Sequence, residues 1–201
     1  PGADEVPPEE EWRRVDLGIG AVRTLSPEIP VSVDTFRSSV AAQAIRKYGK
    51  VIVNDISAGE LDPQLVDVAA EYDVPYVAMH MKGDPRTMQL LTDYRDIVAE
   101  VVGYFRVRTA QLRERGVRRI IVDPGFGFAK TLDQNYELLR GLHRLAELGY
   151  PVLAGVSRKS MIYKLLDTTP AEALNGTTAL HWECLRQGAA ILRVHDTREA
   201  V

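Results

Sequence analysis

The segment Arg119-Ile120-Ile121-Val122-Asp123 joins a short, β-branched apolar run to a carboxylate at its carboxyl end. Short apolar runs of this kind are typical of parallel strands that are buried on both faces. Similar runs recur at residues 30–35, 51–55, 75–80, 151–156 and 190–196. Together with residues 119–123, they predict six buried parallel strands.

Helical patterns with recognisable ends lie between these runs. Asp62-Pro63 predicts the start of a helix over residues 64–72, because Asp caps a helix and proline suits its first turn. Residues 131–134 fit a capping box ahead of an amphipathic run that ends near Leu148. Two more helices are predicted over residues 93–115 and after Thr169-Pro170, and glycines stand at expected helix ends at positions 49, 116, 149 and 188.

The alternation of strand and helix predicts an α/β architecture, and the strand ends favour one of its two common forms. Nearly every predicted strand finishes in polar or ionisable side chains. In a (β/α)8 barrel these ends converge on one rim, whereas an open sheet binds its ligand at a single switch point and leaves distant polar ends unexplained. The pattern therefore favours a TIM barrel, with about six of its eight βα units in this chain.

The composition is typical of one folded domain over residues 1–201. Of the 201 residues, 45% are hydrophobic and 26% are charged. No apolar stretch is long enough to cross a bilayer, and a net charge of -3 without a basic face argues against general nucleic-acid binding. The single cysteine, Cys184, falls in a helical pattern that predicts packing. We expect a soluble, cytoplasmic protein without membrane or nucleic-acid partners.

Carboxylate or amide groups directly follow three of the apolar runs, at Asp34, Asn54-Asp55 and Asp123. Each one alone is typical of a loop cap, since Asp and Asn after a strand often bond to the local backbone. Together at one rim, they suit a planar heterocycle that offers amino and ring N–H donors in an apolar slot. Both interpretations are open from the residues alone.

A second group of residues predicts an anion site. Residues 155–160 read Gly-Val-Ser-Arg-Lys-Ser, pass from a strand into a helix expected to reach Leu166, and bring Arg158 and Lys159 to one point. Arg193 and His195 alternate along the last strand, so their side chains project to the same side and add positive charge. An ordinary capped helix with exposed cations is the alternative.

Other familiar sites are not indicated. The glycine-rich residues 123–130 allow close backbone approach and offer aromatic surface, but they lack the spacing of a P-loop. His80 has no second ligand at a metal-site spacing, so a polar residue at the rim is favoured over a metal ligand or base. Ser157 and Ser160 lack the G-x-S-x-G pattern of a hydrolase nucleophile.

In combination and in order, these motifs resemble dihydropteroate synthase. The resemblance rests on residues 1–3, 32–35, 54–56, 79–81, 123–130, 155–160 and 193–196. It implies a (β/α)8 barrel that condenses 6-hydroxymethyl-7,8-dihydropterin pyrophosphate with p-aminobenzoate, giving 7,8-dihydropteroate and pyrophosphate in folate biosynthesis. It further implies a Mg2+ cofactor, a cytoplasmic homodimer and a target of sulfonamides.

The resemblance also implies a role for each matching residue. The pterin would contact Asp34, Asn54, Met79, Asp123, Phe128, Gly155, Lys159 and Arg193. The p-aminobenzoate would contact Phe128, Lys159 and Ser160, and the pyrophosphate would face Arg193 and His195. Lys159, Arg193, His195 and Asp34 would act in catalysis.

The family pattern extends beyond this chain at both ends. The resemblance places two βα segments before Pro1, with the Asn that contacts magnesium, and most of a closing helix after Asp196. We therefore expect no metal ligand in this chain and no activity from the chain alone. A corrinoid-dependent, pterin-binding methyltransferase and a non-catalytic pterin-binding paralogue are the alternatives.

Overall fold

Strands and helices alternate along residues 5–201, the part of the chain that this computed structural model describes. The strands are β1 (Ser32–Asp34), β2 (Ile52–Asp55), β3 (Tyr76–Met79), β4 (Ile120–Asp123), β5 (Leu153–Ala154) and β6 (Ile191–Leu192). The helices are α1 (Pro8–Leu25), α2 (Ser38–Tyr48), α3 (Gln64–Glu71), α4 (Ile97–Glu114), α5 (Leu132–Arg140), α6 (His143–Ala146), α7 (Ser160–Tyr163), α8 (Leu174–Arg186) and α9 (Thr197–Ala200). The motif Pro1-Gly2-Ala3 lies outside the described residues.

All six predicted strands are present, and each is shorter than its apolar run. The last two have only two residues each, although their hydrogen bonding extends further. Ala190 N and Ile191 N both donate to Val152 O, and Arg193 N donates to Ala154 O at 3.0 Å. The parallel pairing therefore reaches Arg193, and this residue leaves the strand in a position set by the backbone.

The predicted helices agree with the structure except near some of their ends. The long helix expected from residue 93 begins at Ile97, because Asp96 Oδ1 accepts from Ala99 N at 2.8 Å and caps its first turn. The run expected to reach Leu148 divides into α5 and α6 at Gly141. A Cβ there would come within 2.6 Å of Val98, so glycine allows α4 to pack closely against this junction.

Helix α1 was not predicted, although the sequence carries a signal for it. Pro8 occupies the first turn, where its missing N–H costs nothing, and Glu9, Glu10 and Glu11 follow it. Acidic side chains in a first turn interact favourably with the positive end of the helix dipole. The acidity of this segment therefore indicates the start of a helix.

The chain divides into two compact units, and the single-domain prediction remains a prediction. The first unit comprises residues 5–79 and 108–120. In it β1, β2 and β3 form parallel pairs, with Asp34 opposite Asn54 and Asp55 opposite Ala78. Its core includes Val33, Val53, Leu65 and Tyr76.

The second unit comprises residues 80–107 and 121–201. Strand β5 pairs in parallel with β6, and Val122 bridges to Val152 in the same direction. The buried side chains of Phe105, Leu138, Leu142, Met161 and Ile162 form part of its core. The buried thiol of Cys184 in α8 fits the packing role expected from the sequence.

Within residues 5–201, each helix is too short or too polar to cross a bilayer.

The capping box at the start of α5 predicts a measurable contribution to stability. Thr131 Oγ1 accepts from Gln134 N at 3.3 Å, and the Gln134 side chain accepts from Thr131 N at 2.9 Å. We expect Thr131→Ala to lower the free energy of unfolding by about 1 kcal/mol, because one N–H of the first turn loses its acceptor. Urea denaturation measures the change. Thr131→Ser keeps the hydroxyl and should stay near wild type; equal losses in both variants would contradict this account.

Candidate functional site

In the first unit, three sequence-predicted site residues lie at the carboxyl ends of neighbouring strands. Asp34 ends β1, Asn54 lies opposite it on β2, and Met79 ends β3. Asn54 and Met79 are buried, whereas Asp34 is exposed. Parallel pairing therefore brings a carboxylate and an amide to adjacent strand ends, as the sequence predicted.

The neighbouring carboxylate, Asp55, has a different surrounding. Its Oδ1 accepts from Ser57 N and Ser57 Oγ, both at 2.8 Å. Its Oδ2 accepts from Gly59 N and from Tyr76 Oη, both at 2.6 Å. Four donors occupy this buried carboxylate, so the loop-cap interpretation applies to Asp55.

In the second unit, only one of the two oxygens of the Asp123 carboxylate accepts a hydrogen bond. The residue is 1% exposed, and Oδ1 accepts from Gly125 N at 2.8 Å. Its Oδ2 lies 3.3 Å from Arg193 Nη2, which is ion-pair distance, yet the geometry makes no hydrogen bond and the oxygen is without a hydrogen-bond partner. A buried oxygen in this state can accept a donor from a ligand.

Arg193 reaches Asp123 by passing directly over Gly155. A Cβ on Gly155 would lie 2.8 Å from Arg193 Nη2, 3.1 Å from Nε and 3.2 Å from Cζ. Only glycine leaves this space open, so the small residue and the position of the guanidinium are coupled.

Lys159 supplies a second cation beside the same carboxylate. Its Nζ donates to Phe126 O and lies 5.0 Å from the centroid of the Phe128 ring. Burial lowers the pKa of Lys159 to about 8; Asp123 opposes this shift and Arg193 adds to it. The structure therefore brings Asp123, Phe128, Lys159 and Arg193 together, next to Gly155.

Arg158 does not join this cluster, so one part of the predicted anion site is wrong. Its Nε and Nη2 each donate to the Asp196 carboxylate at 2.8 Å, and Nη1 donates to Pro170 O and Ala171 O. Helix α7 also ends at Tyr163 instead of Leu166, and a helix this short adds little dipole. The guanidinium is thus fully engaged within the protein.

His195 and Ser160 lie near the ends of two neighbouring segments. His195 is exposed, and both its N (3.2 Å) and its Nδ1 (3.0 Å) lie within hydrogen-bond distance of Ser157 Oγ. This contact leaves Nε2 as the ring nitrogen that can face an anion. Ser160 is the partly buried first residue of α7.

His80 is buried directly after β3, and sequence reasoning missed its neighbour. Its ring packs edge-to-face against Tyr104, with 4.9 Å between centroids, and its Nδ1 lies 3.1 Å from the buried Lys130 Nζ. The signal for Lys130 was its place at the end of the glycine-rich run 123–130. Among residues 5–201, no group of three His, Cys, Asp or Glu side chains could hold a metal ion.

Asp123, Lys159 and Arg193 together offer complementary chemistry to a ligand. The Asp123 oxygen without a partner can accept a hydrogen bond from a ring N–H or an amino group. The Phe128 ring provides a flat apolar face, and the two cations favour an anionic group. This combination suits a planar, hydrogen-bonding heterocycle with a negatively charged substituent.

Comparison with known proteins gives consistent results. The family model described as pterin binding enzyme matches residues 1–195. A dihydropteroate synthase of Synechocystis sp. is 45% identical over 199 residues, which cover 98% of this chain and 68% of that protein.

Two solved structures of dihydropteroate synthase from Thermus thermophilus share the fold. The one in complex with 4-aminobenzoate has a TM-score of 0.90 and 42% identity, and the match covers 97% of this chain and 75% of that chain. The one in complex with 6HMPPP has a TM-score of 0.88 and 41% identity, covering 96% and 75%. These structures are (β/α)8 barrels, so the predicted fold class is confirmed.

The close approach at Gly155 predicts that Gly155→Ala displaces Arg193. The new Cβ would meet the end of a flexible side chain, so we expect the guanidinium to move away from Asp123 while the unfolding midpoint changes little. A crystal structure and a thermal melt of the variant measure both quantities. Gly18→Ala is the control, because nothing lies within 4 Å of its Cβ position. A guanidinium still 3.3 Å from Asp123 Oδ2 would refute the coupling.

Proposed function

The chain belongs to the pterin-binding enzyme family, and we infer that it catalyses the dihydropteroate synthase reaction. In this reaction a 6-hydroxymethyl-7,8-dihydropterin pyrophosphate and p-aminobenzoate give 7,8-dihydropteroate and pyrophosphate. The observation that carries the inference is the similarity to the Synechocystis synthase over nearly the whole chain. The alternatives, a methyltransferase and a non-catalytic paralogue, have no comparable support.

We propose that Asp123 is the principal hydrogen-bond acceptor for the pterin in the second unit. Its Oδ2 is buried without a hydrogen-bond partner, and a pterin presents ring N–H and amino donors. Four other residues lie near this oxygen or contact one another beside it, and they would line the pterin ring. They are Phe128, Gly155, Lys159 and Arg193.

For the first unit, the proposal rests on the family resemblance and on the strand ends described above. Asp34 and Asn54 would hydrogen-bond the pterin, and Met79 would provide apolar contact. Asp34 would also act in catalysis by holding the pterin while it becomes electron-deficient.

The reaction exchanges one bond for another at the pterin methylene carbon. The bond from this carbon to the pyrophosphate oxygen breaks, and the oxygen keeps the electron pair. The amine nitrogen of p-aminobenzoate then bonds to the same carbon and loses one proton. Because positive charge on the pterin separates from negative charge on the leaving group, the site must stabilise both.

We propose that the basic side chains of the second unit divide this work. Arg193 and His195 would hold the departing pyrophosphate, with Ser157 orienting the His195 ring. Lys159 would contact pterin heteroatoms and, with Phe128 and Ser160, the p-aminobenzoate. A sulfonamide, which resembles p-aminobenzoate, would compete at that position.

Within residues 5–201, no group of three or more His, Cys, Asp or Glu side chains could hold the Mg2+ ion that the resemblance implies. The steps above use no metal ion. We propose that any Mg2+ in the reaction binds mainly through substrate oxygens, as this ion commonly does with phosphates. We also propose a homodimer, as the resemblance implies, and a single domain in the cytoplasm, as expected from the composition.

The reaction can be tested directly with protein expressed from its complete coding sequence. We expect pyrophosphate to be released only when the pterin pyrophosphate and p-aminobenzoate are both present. An enzyme-coupled assay in the presence of Mg2+ measures the release. Lys159→Ala and Arg193→Ala should each lower kcat/KM at least about a hundredfold, since each removes a cation from the reacting groups. Circular dichroism should show an intact fold. Lys50→Ala, at an exposed site in the first unit, is the control. Pyrophosphate release without the amine-dependent product, or wild-type rates in both variants, would contradict the assignment.

The lowered pKa of Lys159 predicts an alkaline limit to turnover. If its ammonium contacts the substrates, activity requires the protonated form, which is lost as the pH rises through about 8. We expect kcat/KM to fall above this pH. Lys159→Arg keeps its charge at all accessible pH values, so the part of the fall that occurs near pH 8 should be absent from its residual activity. An unchanged alkaline limit in Lys159→Arg would assign the titration to another group.

A further inference from the structure

Lys130 is a buried cation that none of the proposed substrate contacts uses. The residue is 5% exposed. Its Nζ lies 2.8 Å from Phe128 O, 3.0 Å from Gly125 O and 3.1 Å from His80 Nδ1. An ammonium has three hydrogens, and these three acceptors are the nearest to it, with His80 O further away at 3.4 Å.

These contacts fix the state of His80. Because the Lys130 ammonium can only donate, His80 Nδ1 accepts, and the ring proton resides on Nε2. Burial, with Lys130 and Lys82 nearby, lowers the pKa of His80 to about 3. The ring is therefore neutral and held edge-to-face against Tyr104, a fixed point outside the loop.

The two carbonyls belong to the loop that carries the site. Asp123 begins this loop, and Phe128 lies within it. Gly125 (φ 69°), Gly127 (φ 81°) and Ala129 (φ 52°) all have left-handed backbone conformations. For alanine this conformation is strained, and such a residue persists only when the surroundings hold it. The bond to Phe128 O acts immediately beside that residue.

A second lysine holds the same loop from another direction. Lys159 donates to Phe126 O, which lies between the two carbonyls that Lys130 holds. Asn135 completes the arrangement, because its Oδ1 accepts from Gly127 N at 2.7 Å. Consecutive parts of the loop are thus fixed by different side chains, and Lys130 contacts two of its carbonyls.

We propose that Lys130 is a positioning residue for pterin binding: its ammonium joins the loop to His80 and so presents Asp123 and Phe128 in the geometry that the pterin requires. The proposal rests on the proposed function for the identity of the ligand. Lys130 itself need not touch the substrate, because all three of its donors are engaged within the protein.

The titratable and charged groups that face Lys130 make its protonation sensitive to pH near neutrality. They are the neutral His80 after β3, the carboxylate of Asp123 on β4, and the ammonium groups of Lys82 and Lys159. Burial lowers the pKa of Lys130 to about 7, and Asp123 opposes the shift. Above this pH the amine is neutral and has only two hydrogens, so its hydrogen bonds to the two loop carbonyls lose their charge and weaken.

The test compares Lys130→Met with Lys50→Met in protein expressed from its complete coding sequence. Methionine keeps the unbranched shape and removes the charge and donors, and Lys50 is an exposed lysine of the first unit. The dissociation constant of the pterin pyrophosphate, without p-aminobenzoate, is measured by calorimetry from pH 6 to 8. Lys130→Gln serves as a second variant in case the methionine variant does not fold. Its amide can still donate to both carbonyls.

We expect Lys130→Met to weaken pterin binding about tenfold or more, as the loss of charged hydrogen bonds implies, and Lys50→Met to bind as wild type. Wild-type binding should weaken as the pH rises through about 7, and this step should be absent from Lys130→Met. Lys130→Gln should fall between them.

Other outcomes separate this proposal from the proposed function. If Lys130→Met binds pterin like wild type, or is merely less stable with the same pH step, the positioning role is overturned. If wild type shows the pH step in pterin binding but releases no pyrophosphate with p-aminobenzoate, the synthase function fails and the positioning role stands.

Discussion

The buried carboxylate of Asp123 is the group on which the second unit depends. One of its oxygens is satisfied by Gly125 N, and the other has an ion-pair distance to Arg193 without a hydrogen bond. An ionised carboxylate that is removed from water costs several kcal/mol unless charges and donors compensate. Lys130 and Lys159 both experience its field, so three cations stabilise one acid. One oxygen of the acid remains available to a ligand, because the two lysines donate to backbone carbonyls and Arg193 makes no hydrogen bond to it.

That occupation explains the shape of the glycine-rich loop. Buried ammonium groups need acceptors as much as the carboxylate needs donors, and the nearest acceptors are backbone carbonyls. The loop must therefore turn its carbonyls towards Lys130 and Lys159, which requires left-handed backbone at Gly125 and Gly127. The backbone carbonyls of the sequence Pro-Gly-Phe-Gly-Phe-Ala thus take the place of water as acceptors for two buried lysines.

Much of the fold and the polar residues at the strand ends could be predicted from the sequence, because they depend on local patterns. The six apolar runs, the capping box at Thr131 and the polar strand ends are each legible from neighbouring residues. The division at Gly141 was not, since it depends on the close approach of Val98 from a distant helix. Asp55 shows the same limit: its four donors come from the following loop and the next strand, and no pattern distinguishes it from Asp123.

The adjacent pair Arg158 and Lys159 shows why residue type alone does not predict a role. Arg158 adopts a left-handed backbone conformation at φ 51°, and its side chain contacts Asp196, whereas that of Lys159 contacts Phe126 O. Its planar guanidinium matches a carboxylate with two parallel bonds, so it joins Asp196 in a fixed clamp. An ammonium has no such planar fork, and Lys159 instead donates to one carbonyl beside an aromatic ring. The ion pair between Arg158 and Asp196 links the segment before Lys159 to the segment after Arg193. Arg158, to which we assign no substrate contact, therefore helps to position Lys159 and Arg193, the two cations that we propose bind the substrates.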